Sequence, residues 1–320
     1  MSSLIEQAAK RLEQLRQAGV EVPGDAVKAS PEAHEAPARI EPTMPELKAA
    51  PPVQPQPQPE PLTTSKVVEL DLEALGAQGF IVPNVVRSQL ADQYRVVKRP
   101  LLRNAMGKGP AMINHGNLIM ITSALAGEGK SFTSLNLALS MAAELDNTVM
   151  LVDADVARPS VLRMLGLPEG PGLLDVLRGS VEMSDVLLRT NVEKLTVLPS
   201  GTPQSRATEM LASESMSQLL DDMARRYSDR IIIFDSPPLL LTTESRALAT
   251  HMGQIVIVVH AEKTPQTAVQ QALATIEHCP LKMMLLNQAS VGAQGSYGYG
   301  YGYGYGYGYG YGNAPAAGKE

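Results

Sequence analysis

The 320-residue chain has one cysteine, Cys279, and that scarcity removes whole classes of function. A single thiol cannot build an intramolecular disulfide framework. Within one chain it also excludes CxxC metal and iron–sulfur motifs. The five histidines, His34, His115, His251, His260 and His278, show no metal-ligand spacing and read as surface or strand-end residues. Positive charge is short as well. The 27 Lys and Arg against 33 Asp and Glu leave a formal net charge of -6, the wrong sign for a general nucleic-acid binder. No run approaches the roughly 20 apolar residues that span a bilayer. The opening MSSLIEQAAKRLEQ lacks the apolar centre of a secretory signal. The expectation is a cytoplasmic protein that binds no nucleic acid and meets a membrane only through a partner.

What is present falls into four segments. Residues 1–19 read as an amphipathic helix. Leu4, Ile5, Ala8, Leu12 and Leu15 share a stripe, Ser3 and Glu6 form a capping box, and Gly19 is the stop. Residues 20–65 include PPVQPQPQPEP, an extended linker that leaves the helix as a docking element or a fraying terminus. Residues 66–290 carry regular patterning. Residues 291–320 hold SYGYGYGYGYGYGYGYG, with tyrosines at Tyr297, Tyr299, Tyr301, Tyr303, Tyr305, Tyr307, Tyr309 and Tyr311. A Tyr-Gly repeat has maximal chain entropy and no means of building a core, so it predicts an exposed display of phenols. By itself that display suits either a phosphorylatable tail or a low-complexity binding surface.

Between residues 66 and 290 six apolar runs read as strands, at 118–123, 149–153, 195–199, 230–235, 254–260 and 282–287. Helical stretches lie between them at 131–145, 205–227 and 265–278. Near-continuous apolar strands alternating with helices predict an α/β fold with a doubly wound, mostly parallel sheet. Ligands of such sheets bind beyond the carboxyl ends of the strands.

The first of these strands runs into ALAGEGKS, a loop of the P-loop type with Ala124 where the first glycine normally stands. Gly127, Glu128 and Gly129 let backbone N–H groups curl around phosphates. Lys130 can reach the terminal phosphates, the Ser131 hydroxyl can ligate Mg²⁺, and Phe132 belongs to the same helix start. VMLVDADVARP ends a strand on Asp153 and Asp155, and RIIIFDSPP ends another on Asp235. A strand that delivers a carboxylate beside a phosphate loop is the arrangement that holds Mg²⁺.

The order of these motifs resembles the bacterial tyrosine kinases: Walker A, a DxD strand with Arg-Pro, hydrophobic-D-x-P-P, then a C-terminal tyrosine cluster. The resemblance covers roughly residues 85–312, and LPSG at 198–201, Glu244 and LLN at 285–287 also fit. The N-terminal helix and Tyr94-Arg95 resemble the tyrosine autokinases of exosortase-linked exopolysaccharide loci. The resemblance implies a P-loop NTPase fold that uses ATP and Mg²⁺ to phosphorylate its own tail. Lys130, Asp153, Asp155 and Asp235 would be catalytic. Ser131, Asp153 and Asp235 would hold the metal, and Asn287 would lie near the adenine. Where the family commonly has an arginine two residues after the second DxD aspartate, this chain has Ala157, followed by Arg158.

The family also carries an acid–x–x–Arg–x–x–Arg helix through which subunits form a ring. Asp92, Arg95 and Lys98 preserve its charges, and their three-residue spacing predicts one shared helix face. The partners so implied are a homo-oligomer, a membrane activator of the polysaccharide chain-length-determinant type, and a cognate tyrosine phosphatase. The protein would be recruited to the inner membrane peripherally. Two other readings stay open. A partitioning-type ATPase switch would need a lysine five residues before Lys130, where the chain has Leu125. A nucleotide-responsive scaffold would use the tail only as a binding surface.

Overall fold

The computed structural model describes residues 66–83, 88–226 and 230–289. The expected N-terminal helix, the Pro/Gln linker and the Tyr-Gly tail lie outside the described residues.

The chain enters as β1 (Lys66–Val68), α1 (Leu72–Ala77) and α2 (Gln89–Ala105), and then reaches β2 (Leu118–Ser123) and α3 (Lys130–Ala142). There follow β3 (Thr148–Asp153), α4 (Val161–Met164), α5 (Leu173–Leu177) and α6 (Met183–Val186). Next come β4 (Leu188–Thr190), β5 (Leu195–Leu198), α7 (Ala207–Leu211), α8 (Glu214–Arg226), β6 (Arg230–Asp235) and α9 (Glu244–Ala249). The described chain ends with β7 (Gln254–His260), α10 (Gln266–Ala274) and β8 (Lys282–Asn287). Local chemistry sets two of the helix starts. Asp71 accepts the Ala74 N–H ahead of α1 at 2.9 Å, and Ser88 accepts the Ala91 N–H ahead of α2 at 3.1 Å.

The strands form one eight-stranded sheet in the order β1-β4-β5-β3-β6-β2-β7-β8. All pairs are parallel except β4–β5. The six expected strands are the six parallel ones from β5 to β8. The β1–β4 margin, two strands of three residues running against the rest, was not expected, because three residues carry no usable periodicity.

Side chains alternate across the sheet, and each parity has its own helical layer. Leu118, Met120, Met150, Val152, Ile232 and Phe234 face α5, α7, α8, α9 and α10. Ile119, Ile121, Val149, Leu151, Ile231 and Ile233 face α2, α3 and α4. Helices therefore cover both faces of the central strands, which read as apolar runs because neither of their faces meets water, whereas the edge strand β8 leaves Met284 and Leu286 exposed. The expected helix at 205–227 is two, α7 and α8, separated by Ala212 and Ser213. The helix after the phosphate loop, expected over 131–145, stops at Ala142, and Leu145 beyond its end is 87% exposed. Among the described residues, no helix is long and apolar enough to cross a membrane.

Candidate nucleotide-binding site

Strand order brings together three segments that are far apart in sequence. β6 lies between β3 and β2, so Asp235 is register-paired with Asp153 on one side and with Ile121 on the other. The carboxyl ends of β2, β3 and β6 thus converge on the loop at 124–129. The segment after Asp235 is stitched alongside that loop. Ser236 N–H donates to Ile121 O, Leu239 N–H to Ser123 O at 2.8 Å, and the Thr122 hydroxyl to Pro237 O at 2.8 Å.

The loop turns through two glycines in the left-handed region, Gly127 at φ 81° and Gly129 at φ 91°. A side chain at either position would be strained, and a Cβ on Gly129 would run into the Asn287 amide. Gly129 caps α3 without a side-chain bond. The first-turn N–H groups have no partner within the helix and are available for an anion.

Lys130 is buried, and its ammonium lies 3.8 Å from Asp155 Oδ2. Asp155 Oδ1 accepts the Arg158 N–H at 3.2 Å. Arg158 itself is exposed, and its charge acts on Asp155. Burial raises the Asp155 carboxyl above its ordinary range, and Lys130 and Arg158 draw it back.

Asp153 Oδ2 caps the short helix α4, accepting the Ser160 and Val161 N–H groups at 3.0 Å each. Asp235 Oδ1 accepts the Ser134 hydroxyl at 3.0 Å. The remaining oxygens, Asp153 Oδ1 and Asp235 Oδ2, are buried with no hydrogen-bond partner. Burial, followed by the charge of Asp235, pushes Asp153 up to about 7. Burial pushes Asp235 up to about 6, against the opposing pull of the Ser131 and Ser134 hydroxyls and Lys130.

Two orphaned carboxylate oxygens beside the Ser131 hydroxyl form a hard, oxygen-only donor set of the kind a divalent cation such as Mg²⁺ takes. Among the described residues, no group of three or more His, Cys, Asp or Glu side chains could hold a metal alone. A cation here therefore needs further ligands, as Mg²⁺ does when it keeps waters and phosphate oxygens.

Other expected positions divide. Asn287, at the end of β8, donates from Nδ2 to Glu128 O at 2.9 Å and so touches the loop directly. The Phe132 ring packs on Phe80 with centroids 5.1 Å apart, which leaves its backbone N–H as the group to offer a ligand. Lys98 departs from the shared face. It is 6% exposed, donates to Ser140 O at 2.5 Å, and pairs with Glu144 at 2.7 Å. Each three-residue step falls about 60° short of a full turn, so two steps carry Lys98 about 120° away from Asp92 and onto α3. Asp92 and Arg95 stay exposed and pair with each other at 2.5 Å. The tail tyrosines lie outside the described residues.

Sequence reasoning did not find Ser134, Ser160 or Thr264. The Ser160 hydroxyl donates to Ser131 Oγ at 2.8 Å, and Thr264 donates to the Glu128 carboxylate. Ser160 follows the Arg-Pro pair directly and could have been marked by that position. Thr264 lies 136 residues from its partner and leaves no sequence signal.

Comparison with known proteins agrees with this geometry. Residues 116–288 match the AAA domain family. The tyrosine-protein kinase YwqD of Bacillus subtilis (strain 168) is 32% identical over 182 residues, covering 56% of this chain and 76% of YwqD. The tyrosine-protein kinase Ptk of Acinetobacter johnsonii is 33% identical over 181 residues, but the match spans only 24% of that longer protein and 56% of this one. The VpsO kinase domain superposes with a TM-score of 0.51 at 28% identity, covering 63% of this chain and 100% of that domain. With the phosphate loop, the two acidic strand ends and most of the length of YwqD in common, the chain belongs to the AAA-domain P-loop proteins and, among them, to the bacterial tyrosine-protein kinases.

Proposed function

We propose that this protein is an autokinase that uses Mg·ATP to phosphorylate the tyrosines of its own C-terminal tail, Tyr297 to Tyr311. One observation carries the reading: Lys130, Ser131 and the carboxylates of Asp153, Asp155 and Asp235 meet at the ends of three adjacent strands, with two carboxylate oxygens unpartnered. The phosphate loop would hold the nucleotide through its N–H groups and Lys130. Ser131, Asp153 and Asp235 would hold Mg²⁺, which when bound neutralises phosphate charge. Asn287 would border the base.

In the transfer, the phenol oxygen attacks the γ-phosphorus as the bond to the β–γ bridging oxygen breaks and ADP leaves. The phenol proton passes to the Asp153 carboxylate if that group stands free of Mg²⁺, and otherwise to solvent, while Asp155 steadies Lys130. An ordinary phenol has a pKa of about 10, so its proton leaves late. Positioning and charge neutralisation carry most of the acceleration.

The tail would react in trans within an oligomer. A glycine-rich coil of about a dozen residues spans roughly 20 Å r.m.s., a reach that permits reaction in trans. Exposed Asp92 and Arg95 on α2 support self-association there. So does the adjoining apolar groove of about 810 Å³ between α2 and the edge strand β8, where Val96, Met284 and Leu286 are exposed. The proposed occupant of the groove is a second copy of the chain. Accumulated phosphate on the tails would drive copies apart by repulsion. Such a cycle fits control of exopolysaccharide synthesis and export by a cytoplasmic kinase recruited through a membrane activator and reset by a phosphatase.

The test is intact mass after incubation with Mg·ATP, for wild type and Lys130→Met. Additions of about 80 Da each, mapping to residues 297–311 and absent in the variant, are expected. Nucleotide hydrolysis with no mass change, over a range of protein concentrations and with membrane-activator fragments added, would move the weight to a nucleotide-responsive scaffold.

A further inference from the structure

Glu128 stands between two glycines of the phosphate loop, yet it is only 3% exposed. A carboxylate is costly to bury unless its oxygens are bonded, and here both are. Oε2 accepts the Leu125 N–H at 2.7 Å, which closes the loop on itself. Oε1 accepts the Thr264 hydroxyl. Thr264 stands in the connection between β7 and α10, and its Oγ1 in turn accepts the His260 N–H at 3.1 Å. With that N–H fixed by the backbone, the one hydroxyl proton of Thr264 is directed to Glu128. The main-chain oxygen of Glu128 accepts the Asn287 amide. The carboxylate is thus fully engaged inside the protein, which makes it a tie rather than a ligand contact.

We propose that Thr264 is a positioning residue for the phosphate loop. By donating to Glu128 it keeps that carboxylate folded onto the Leu125 N–H, and so holds the turn from Ala124 to Gly129 in its anion-binding shape before nucleotide arrives. This rests on the reading of the loop as a nucleotide site.

The physical reason is preorganisation. A loop already held in its bound shape spends no binding energy on ordering. Without the Thr264 hydroxyl, Oε1 is buried and unbonded. The carboxylate then swings out or draws in water, the Leu125 N–H is released, and the loop samples open forms. The effect belongs to the unliganded loop, so it falls on nucleotide affinity rather than on turnover of bound nucleotide. Thr264→Val keeps the shape and removes the hydroxyl. Thr264→Ser keeps the hydroxyl and removes the methyl.

The experiment uses the full chain and a fluorescent ADP analogue with Mg²⁺, titrated against wild type, Thr264→Val and Thr264→Ser. Hydrogen–deuterium exchange of the peptide spanning 124–130 is followed without nucleotide, with melting temperatures recorded alongside. Thr264→Val is expected to bind about tenfold more weakly, the scale of one hydrogen bond to a charged group. It should exchange faster at the loop, and Thr264→Ser should restore both. Should the valine variant fail to fold, Thr264→Ala takes its place. Wild-type affinity and loop exchange in Thr264→Val overturn the proposal and leave the nucleotide site standing. Equal weakening in the serine variant also overturns it, by assigning the effect to the methyl. If wild type itself binds no nucleotide, the site reading fails, and loop exchange, which needs no nucleotide, still decides whether Thr264 holds the loop.

Discussion

Asp153 and Asp235 face each other across the β3–β6 register, each with one buried carboxylate oxygen that no hydrogen bond satisfies. Two acids set side by side out of water do not stabilise the fold. They store an unfavourable arrangement that a cation can relieve, which is a mark of a site shaped for its ligand rather than for stability.

That arrangement has a pH signature in nucleotide-free protein. Both folded-state pKa values, about 7 for Asp153 and about 6 for Asp235, lie above the unfolded carboxylate value. The folded state therefore holds more protons than the unfolded state between roughly pH 4 and 7. The contribution of these two groups to stability is most favourable below that window, falls as pH rises through it, and levels off above it. Asp235→Asn removes one of the two titrations, together with its charge on Asp153, and keeps an oxygen for the Ser134 hydroxyl. It should raise the melting temperature at pH 8 by several degrees, change little near pH 4, and abolish phosphate transfer. Thermal melts across pH 4–8 check this, and equal shifts at both ends would refute it.

Gly129→Ala should cripple nucleotide binding. The residue sits at φ 91° against the Asn287 amide, and a non-glycine residue in such a conformation costs about 1–3 kcal/mol. Titration with nucleotide should show at least about tenfold weaker binding. Shortening Asn287 as well should recover only part of it, because the backbone strain remains.

Lys98 and Arg95 should separate into different phenotypes. Lys98→Ala removes a buried ammonium from Ser140 O and Glu144 and should cost about 2 kcal/mol in urea unfolding. Arg95→Ala breaks an exposed pair worth under about 1 kcal/mol, so stability should hardly move. Its effect should appear instead in light-scattering mass, as smaller assemblies. If Arg95→Ala leaves the assembly unchanged, α2 is not the contact.

Truncation after Ala289 should leave nucleotide affinity intact, because Asn287 is retained, and should eliminate phosphate incorporation. Any incorporation that survives would locate acceptors among the remaining residues and displace the tail as the substrate.

The residue pattern alone was enough to read the doubly wound class, because strands buried on both faces must be apolar at nearly every position, as in RIIIFD, QIVIVVH and LIMITS. It also determined the glycine-turned phosphate loop and the acidic strand ends, since anion binding and metal holding narrow the residue types to very few. Features that depend on partners distant along the chain emerged only with packing. The two-strand margin β1–β4 exists through neighbours rather than local pattern. Lys98 was diverted from the surface because helix rotation brings it onto α3. The bond from Thr264 to Glu128 joins residues on separate segments that meet only once β7 and β2 lie side by side. A periodic sequence records which way a side chain faces within its own element, but what it meets there is settled only when the elements pack.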